Sequence, residues 1–297
     1  MRRTILSVGV AGALAAAGLV VVTSSSGAAV GDVPAGCAAV TSAYKSDGQR
    51  LFYRYERNSD QPTKVESIPG DKLPWRPAAL TLGGVWGESQ DSFHREEFAA
   101  HPTDGYVYRI ERAAERGDDR VWRMTQHKVT RLAAGFGGTR TLVYAYPYLY
   151  RFTAKSLYRY TVVGQEGIPV DPVKMPGTGW GSIKTMIYER TGGTDAQPVD
   201  VLLGTTSAGA LKEWRFRRGA PGSSIPSSVL RTTGWDTFTS LSTGSCEQHP
   251  EGRSLLAIQE TGSVSWHFDA NAKDSSGTDI KGGSLGALGW TEKAYGE

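Results

Sequence analysis

From residue 38 onward the apolar residues fall in short alternating runs separated by polar, glycine-bearing breaks. No stretch after residue 30 sustains an apolar period of helical length. Alternation of this kind places successive side chains on opposite faces of a strand. The runs pair off around tight turns: AAVTSAY–KSDG–QRLFYRY, EEFAAH–PTDG–YVYRI, YLYRF–TAKS–LYRY, VDVLLG–TTSAG–ALKEWRF and RSLLAIQ–ETG–SVSWHF. In the first of these, Asp47-Gly48 supplies the residues that tolerate positive φ in a hairpin turn. Each hairpin leads into a polar segment of variable length, then a short turn and another apolar strand such as TRTLVYAY, IKTMIY or FTSL.

Two columns of residues recur in strict alternation. The first is an aromatic–basic–apolar triplet: Tyr53-Arg54-Tyr55, Tyr108-Arg109-Ile110, Tyr158-Arg159-Tyr160, Trp214-Arg215-Phe216 and Trp266-His267-Phe268. The second is a Gly-aromatic turn ending at Trp86, Phe136, Trp180, Trp235 and Trp290. A strand-built period of about 50 residues predicts a β-propeller, in which no repeat can bury both faces of its sheet alone. Five copies predict five blades of four strands, three clear in the sequence and one inferred within the variable segment. The chain begins at a hairpin with no such turn before it and ends at a Gly-aromatic turn and strand with no hairpin after it. The expectation is an all-β, five-bladed propeller spanning 30–297, closed by the C-terminal strand pairing into the N-terminal blade.

Residues 1–29 have a different character. Arg2 and Arg3 precede an apolar run, Ile5–Val22, and small residues follow up to Ala28 and Ala29. This is the pattern of a cleaved secretory signal peptide; an uncleaved membrane anchor is the alternative. Removing Arg2 and Arg3 from the 33 basic residues leaves 31 against 30 acids, a balance that argues against nucleic acid or an acidic membrane as partner. An exported chain with two cysteines, Cys37 and Cys246, is expected to pair them. Both lie just before a hairpin, one in the first repeat and one in the last, so the bond would staple the closing seam. The competing reading of Pro34–Cys37 as a lipidation motif fails on Pro34, where an aliphatic residue is needed, and on distance from the apolar run.

The repeats resemble the tachylectin family of five-bladed propeller lectins over roughly residues 38–296. The likeness rests on GTGWGSIKTMI, on LYRY at Leu157–Tyr160, and on the TTGWDTF and LGWTEK copies. It implies a secreted, monomeric, non-catalytic protein that binds glycans carrying N-acetylated amino sugars, such as cell-wall or chitin-like chains. No cofactor is implied. The candidate sugar-binding residues are Trp86, Phe136, Trp180, Trp235 and Trp290, since a flat aromatic face stacks on a sugar and an adjacent glycine lets backbone approach a ligand. Packing between blades is the competing role for the same rings. The repeats here are diverged, so equivalence of five sites does not follow.

Other chemistry finds little support. His94, His101, His127, His249 and His267 lack metal-ligand spacing, and no nucleophile or phosphate-loop motif is present. A glycosidase needs two carboxylates flanking the scissile bond, and no pair of acids stands out from the repeat. A protein-interaction scaffold and, behind it, a glycoside hydrolase are the alternatives to a lectin.

Overall fold

The computed structural model describes residues 30–57, 63–65, 67–87, 89, 91–287 and 292–296. The expected signal peptide and Trp290 lie outside the described residues. Blade 1 holds β1 (Ala38–Tyr44), β2 (Arg50–Glu56), β3 (Thr63–Val65) and β20 (Lys293–Tyr295). Blade 2 holds β4 (Ala79–Trp86), β5 (Ser92–Ala100), β6 (Tyr106–Arg116) and β7 (Trp122–Ala134). Blade 3 is built from β8 (Thr141–Ala145), β9 (Tyr148–Phe152), β10 (Leu157–Val163) and β11 (Ile168–Lys174). Blade 4 comprises β12 (Ile183–Thr194), β13 (Gln197–Thr206), β14 (Leu211–Arg217) and β15 (Ser227–Arg231). Blade 5 comprises β16 (Phe238–Gly244), β17 (Arg253–Gln259), β18 (Ser263–Asp269) and β19 (Lys281–Ala287). Each is a four-stranded antiparallel sheet, and together they form the expected five-bladed propeller.

Closure is as the sequence predicts. β20 adds to the edge of β1, in the order β20-β1-β2-β3, with Ser42 opposite Tyr295 and Tyr44 opposite Lys293. Thr41 Oγ1 donates to the Tyr295 carbonyl at 2.7 Å, and the Tyr295 hydroxyl donates to the Pro77 carbonyl of the next blade at 2.6 Å. Cys37 and Cys246 form a disulfide across 209 residues, joining blade 1 to blade 5.

Buried side chains gather into five clusters, one in each gap between neighbouring blades. The outer aromatics of the triplets feed them: Tyr55 meets Trp266 at 4.1 Å between ring centroids across the gap from blade 1 to blade 5. Full burial of one such side chain stabilises the fold by about 1.5–3 kcal/mol. The basic member of each triplet points the other way. Arg109 pairs with Glu96, and Arg159 donates to the carbonyls of Arg217 and Arg218. Some gaps also bury charge, which the repeat pattern does not foretell. Arg112 sits between Asp71 and Glu97 of blades 1 and 2, and Arg253 sits among Glu189, Glu213 and Asp269 of blades 4 and 5.

Candidate functional site

The strand topology sorts the loops onto two faces. The turns between second and third strands, such as Asp47-Gly48, share the lower face with the turns that enter the inner strands. The loops leaving the inner strands share the upper face. Gly48 shows why a lower turn needs glycine: its φ is +84°, and a Cβ there would stand 1.9 Å from the Leu73 carbonyl oxygen.

The Gly-aromatic rings are placed mostly as packing residues. Phe136, Trp180 and Trp235 are 1%, 5% and 5% exposed. Phe136 stacks on Tyr160 with centroids 4.9 Å apart, and Trp235 lies 5.0 Å from His267. Trp180 is wedged between Phe152 and Phe216 and donates its indole N–H to the Pro176 carbonyl at 3.2 Å. The second column thus seats its rings on the first. Enclosed in this way, the three rings take the competing role of packing between blades and present little open face to solvent.

Trp86 belongs elsewhere in the fold. It ends β4 on the upper face, half exposed, and stacks on His94. The position that matches Phe136 and Trp235 is Leu73. Its amide donates to the carbonyl of Gly48 at 3.0 Å, as Phe136 does to Gly105 at 2.8 Å and Trp235 to Gly209 at 3.0 Å. Leucine without a preceding glycine gave no sign of this, whereas Gly84-Val85-Trp86 imitates the pattern.

An open notch lies on the upper face over blade 3. There the inner strand β8 runs only five residues, while β12 beside it runs twelve and the strands of blade 2 run eight to thirteen. A short blade between two tall ones leaves a notch of about 460 Å³. Gly83 of β4, Tyr144 and Tyr146 of blade 3, Tyr188 and Thr191 of β12, and Arg218 beyond β14 line it. Tyr146 caps the turn after β8 and is 74% exposed, with its ring 6.5 Å from and nearly perpendicular to that of Tyr144.

The polar wall of the notch is held from behind. Asp200, fully buried on β13, accepts a hydrogen bond from Arg218 Nε at 2.8 Å and one from the Tyr150 hydroxyl at 2.7 Å. Burial raises the Asp200 carboxyl pKa, and the Tyr150 and Arg218 donors offset only part of that rise. Arg218 also reaches Thr191 Oγ1 at 3.2 Å, and that hydroxyl shares a hydrogen bond with the Tyr188 hydroxyl at 2.8 Å. The guanidinium is therefore fixed in place at the rim. Burial, with the Glu96 charge behind it, pushes the Tyr144 hydroxyl up to about 12, so it stays a neutral donor. Among the described residues, none that lines the notch is a carboxylate.

No protein-family model matches this chain, and no curated protein matches it. Solved structures give remote likenesses. The BP39L lectin from Burkholderia pseudomallei is 10% identical over 81% of this chain and 84% of that one, with a TM-score of 0.41. A luciferin-regenerating enzyme is 10% identical over 86% and 93%, with a TM-score of 0.38. BBS1N, solved in complex with ARL6DN, is 15% identical over 78% of this chain and only 64% of its own, with a TM-score of 0.35. A lectin, an enzyme and one member of a protein complex stand side by side here, at scores too low to transfer any of those activities.

Proposed function

We propose that this propeller is a secreted, monomeric, non-catalytic carbohydrate-binding protein for glycans bearing N-acetylated amino sugars. The observation that carries the reading is the notch over blade 3: an exposed tyrosine ring beside a fixed arginine and two hydroxyls. The Tyr146 ring offers the flat apolar surface that the C–H face of a pyranose needs, and Arg218, Thr191 and Tyr188 meet its hydroxyl and amide oxygens. The lining supplies no acid pair of the kind hydrolysis requires, which favours binding over cleavage at this place. Preference for N-acetylated amino sugars follows the tachylectin resemblance of GTGWGSIKTMI and LYRY. Export is supported by the leader-like residues 1–29 and fits a disulfide-bonded fold.

An open notch of this size binds one or two sugar rings, so a monosaccharide is expected to bind with Kd of about 1 mM. A glycan survey on the mature protein tests the proposal. Retention on chitin oligomers or peptidoglycan, competed by N-acetylglucosamine and not by glucose, is the expected result. Absence of binding to any glycan would refute it, and the protein-interaction scaffold would be the better account.

A further inference from the structure

The five inner strands enclose an axial channel of about 60 Å³, and three cations from three different blades line it: Arg140 just before β8, Lys184 on β12 and Lys293 on β20. Among the described residues, no carboxylate lines this channel. The three head groups are tethered to carbonyls. Arg140 donates to the Gly181 carbonyl at 2.8 Å, Lys184 to that of Asp236, and Lys293 to those of Ala78 and Pro77 at 2.6 and 3.2 Å. Carbonyl dipoles orient these cations without neutralising them. Burial, and then the charge of Arg76, push the Lys293 ammonium down to about 8. Ser240 of β16 lines the same channel; it is 2% exposed, and its hydroxyl has no hydrogen-bond partner. An unsatisfied buried hydroxyl beside three cations calls for an acceptor carrying negative charge. Arg140 and Lys293 are exposed at the channel mouth and Lys184 is half-buried, so a small anion can reach all three from solvent, and water would satisfy the hydroxyl without using them.

We propose that the axial channel is an anion site that takes one small oxyanion of the phosphate or sulfate class, with Arg140, Lys184 and Lys293 as charge partners and the Ser240 hydroxyl as a donor. The channel's small volume selects a free ion over an ion carried on a sugar ring. The site is separate from the notch over blade 3 and stands whether or not that notch binds sugar.

The test is thermal unfolding of the mature protein in sodium phosphate against sodium chloride of equal ionic strength, at pH 7. A bound ion raises the melting temperature progressively with its concentration, so phosphate is expected to stabilise where chloride does not. Lys184→Gln and Arg140→Gln keep a donor for the neighbouring carbonyl and remove the charge. Each is expected to shift the half-saturating phosphate concentration upward at least about tenfold. Thr239→Asp, at an exposed position lining the channel, places a carboxylate there and is expected to shift it by a similar factor. Equal melting in phosphate and chloride, or a wild-type response in Thr239→Asp, would overturn the proposal even if the glutamine variants failed to fold. Glucose 6-phosphate in place of inorganic phosphate separates the two sources of oxyanion. A weaker response is expected, and a stronger one would overturn the choice of a free ion.

Discussion

Replacing Trp180 or Trp235 with alanine empties a site between blades that is 5% exposed in each case, and the expected cost is about 3–5 kcal/mol. Chemical denaturation of each variant measures this; a change below about 1 kcal/mol would deny them a packing role. His267 gives a second prediction, because it lies against Trp235. Burial and the Arg231 charge hold its imidazole pKa down to about 4. The unfolded chain takes up the proton near pH 6.5, so the stability tied to the neutral ring is complete above that pH. It is lost as pH falls toward 4, by up to about 3 kcal/mol. The urea midpoints of wild type and His267→Gln should therefore converge as pH drops from 7 to 4.5. Curves that stay parallel would contradict the assignment.

At the scale of strands and turns, the seam is where most is at stake. β20 contributes three residues, yet they satisfy the inner edge of β1 and anchor Tyr295 to Pro77. Deleting residues 292–297 exposes that edge and is expected to lower the melting temperature of the whole ring in one transition. Loss of a separate, smaller transition would mean that blade 1 folds apart from the others. Reducing Cys37–Cys246 should also lower the melting temperature, since the bond closes a long loop, 209 residues in separation, that contributes on the order of 5 kcal/mol in the entropic account.

Much of this scale was legible from sequence. The five hairpins carry strict alternation around glycine or short polar turns, and the complementary ends announced the closure. The outer strands were only inferred because they face solvent on one side, as the mostly unburied pattern of β7 shows. The misplacement of Trp86 has a similar cause. Local pattern identified a glycine and an indole, but only the bond from Leu73 to Gly48 reveals which residue fills the repeated position. The notch over blade 3 was not legible at all. Tyr146 falls outside both columns, and Tyr188 and Arg218 reach it from the next blade along the chain.

For the molecule as a whole, five similar blades do not make five similar sites. The notch depends on one short blade flanked by two tall ones. The buried charge clusters differ from gap to gap, with Arg112 between blades 1 and 2, Asp200 between blades 3 and 4 and Arg253 between blades 4 and 5. Calorimetric titration with a chitin oligomer should accordingly give one site per chain. A value of five would restore the symmetric picture that the repeat implies. The most direct trial of the account is adhesion of the wild type and Tyr146→Ala to immobilised chitin, read together with their melting temperatures. The ring is 74% exposed and meets only the edge of the core at Tyr144, so the variant should melt within a few degrees of wild type and lose at least about tenfold in binding, the worth of one stacking contact near 1.4 kcal/mol. Wild-type adhesion in Tyr146→Ala would contradict the notch as the sugar site.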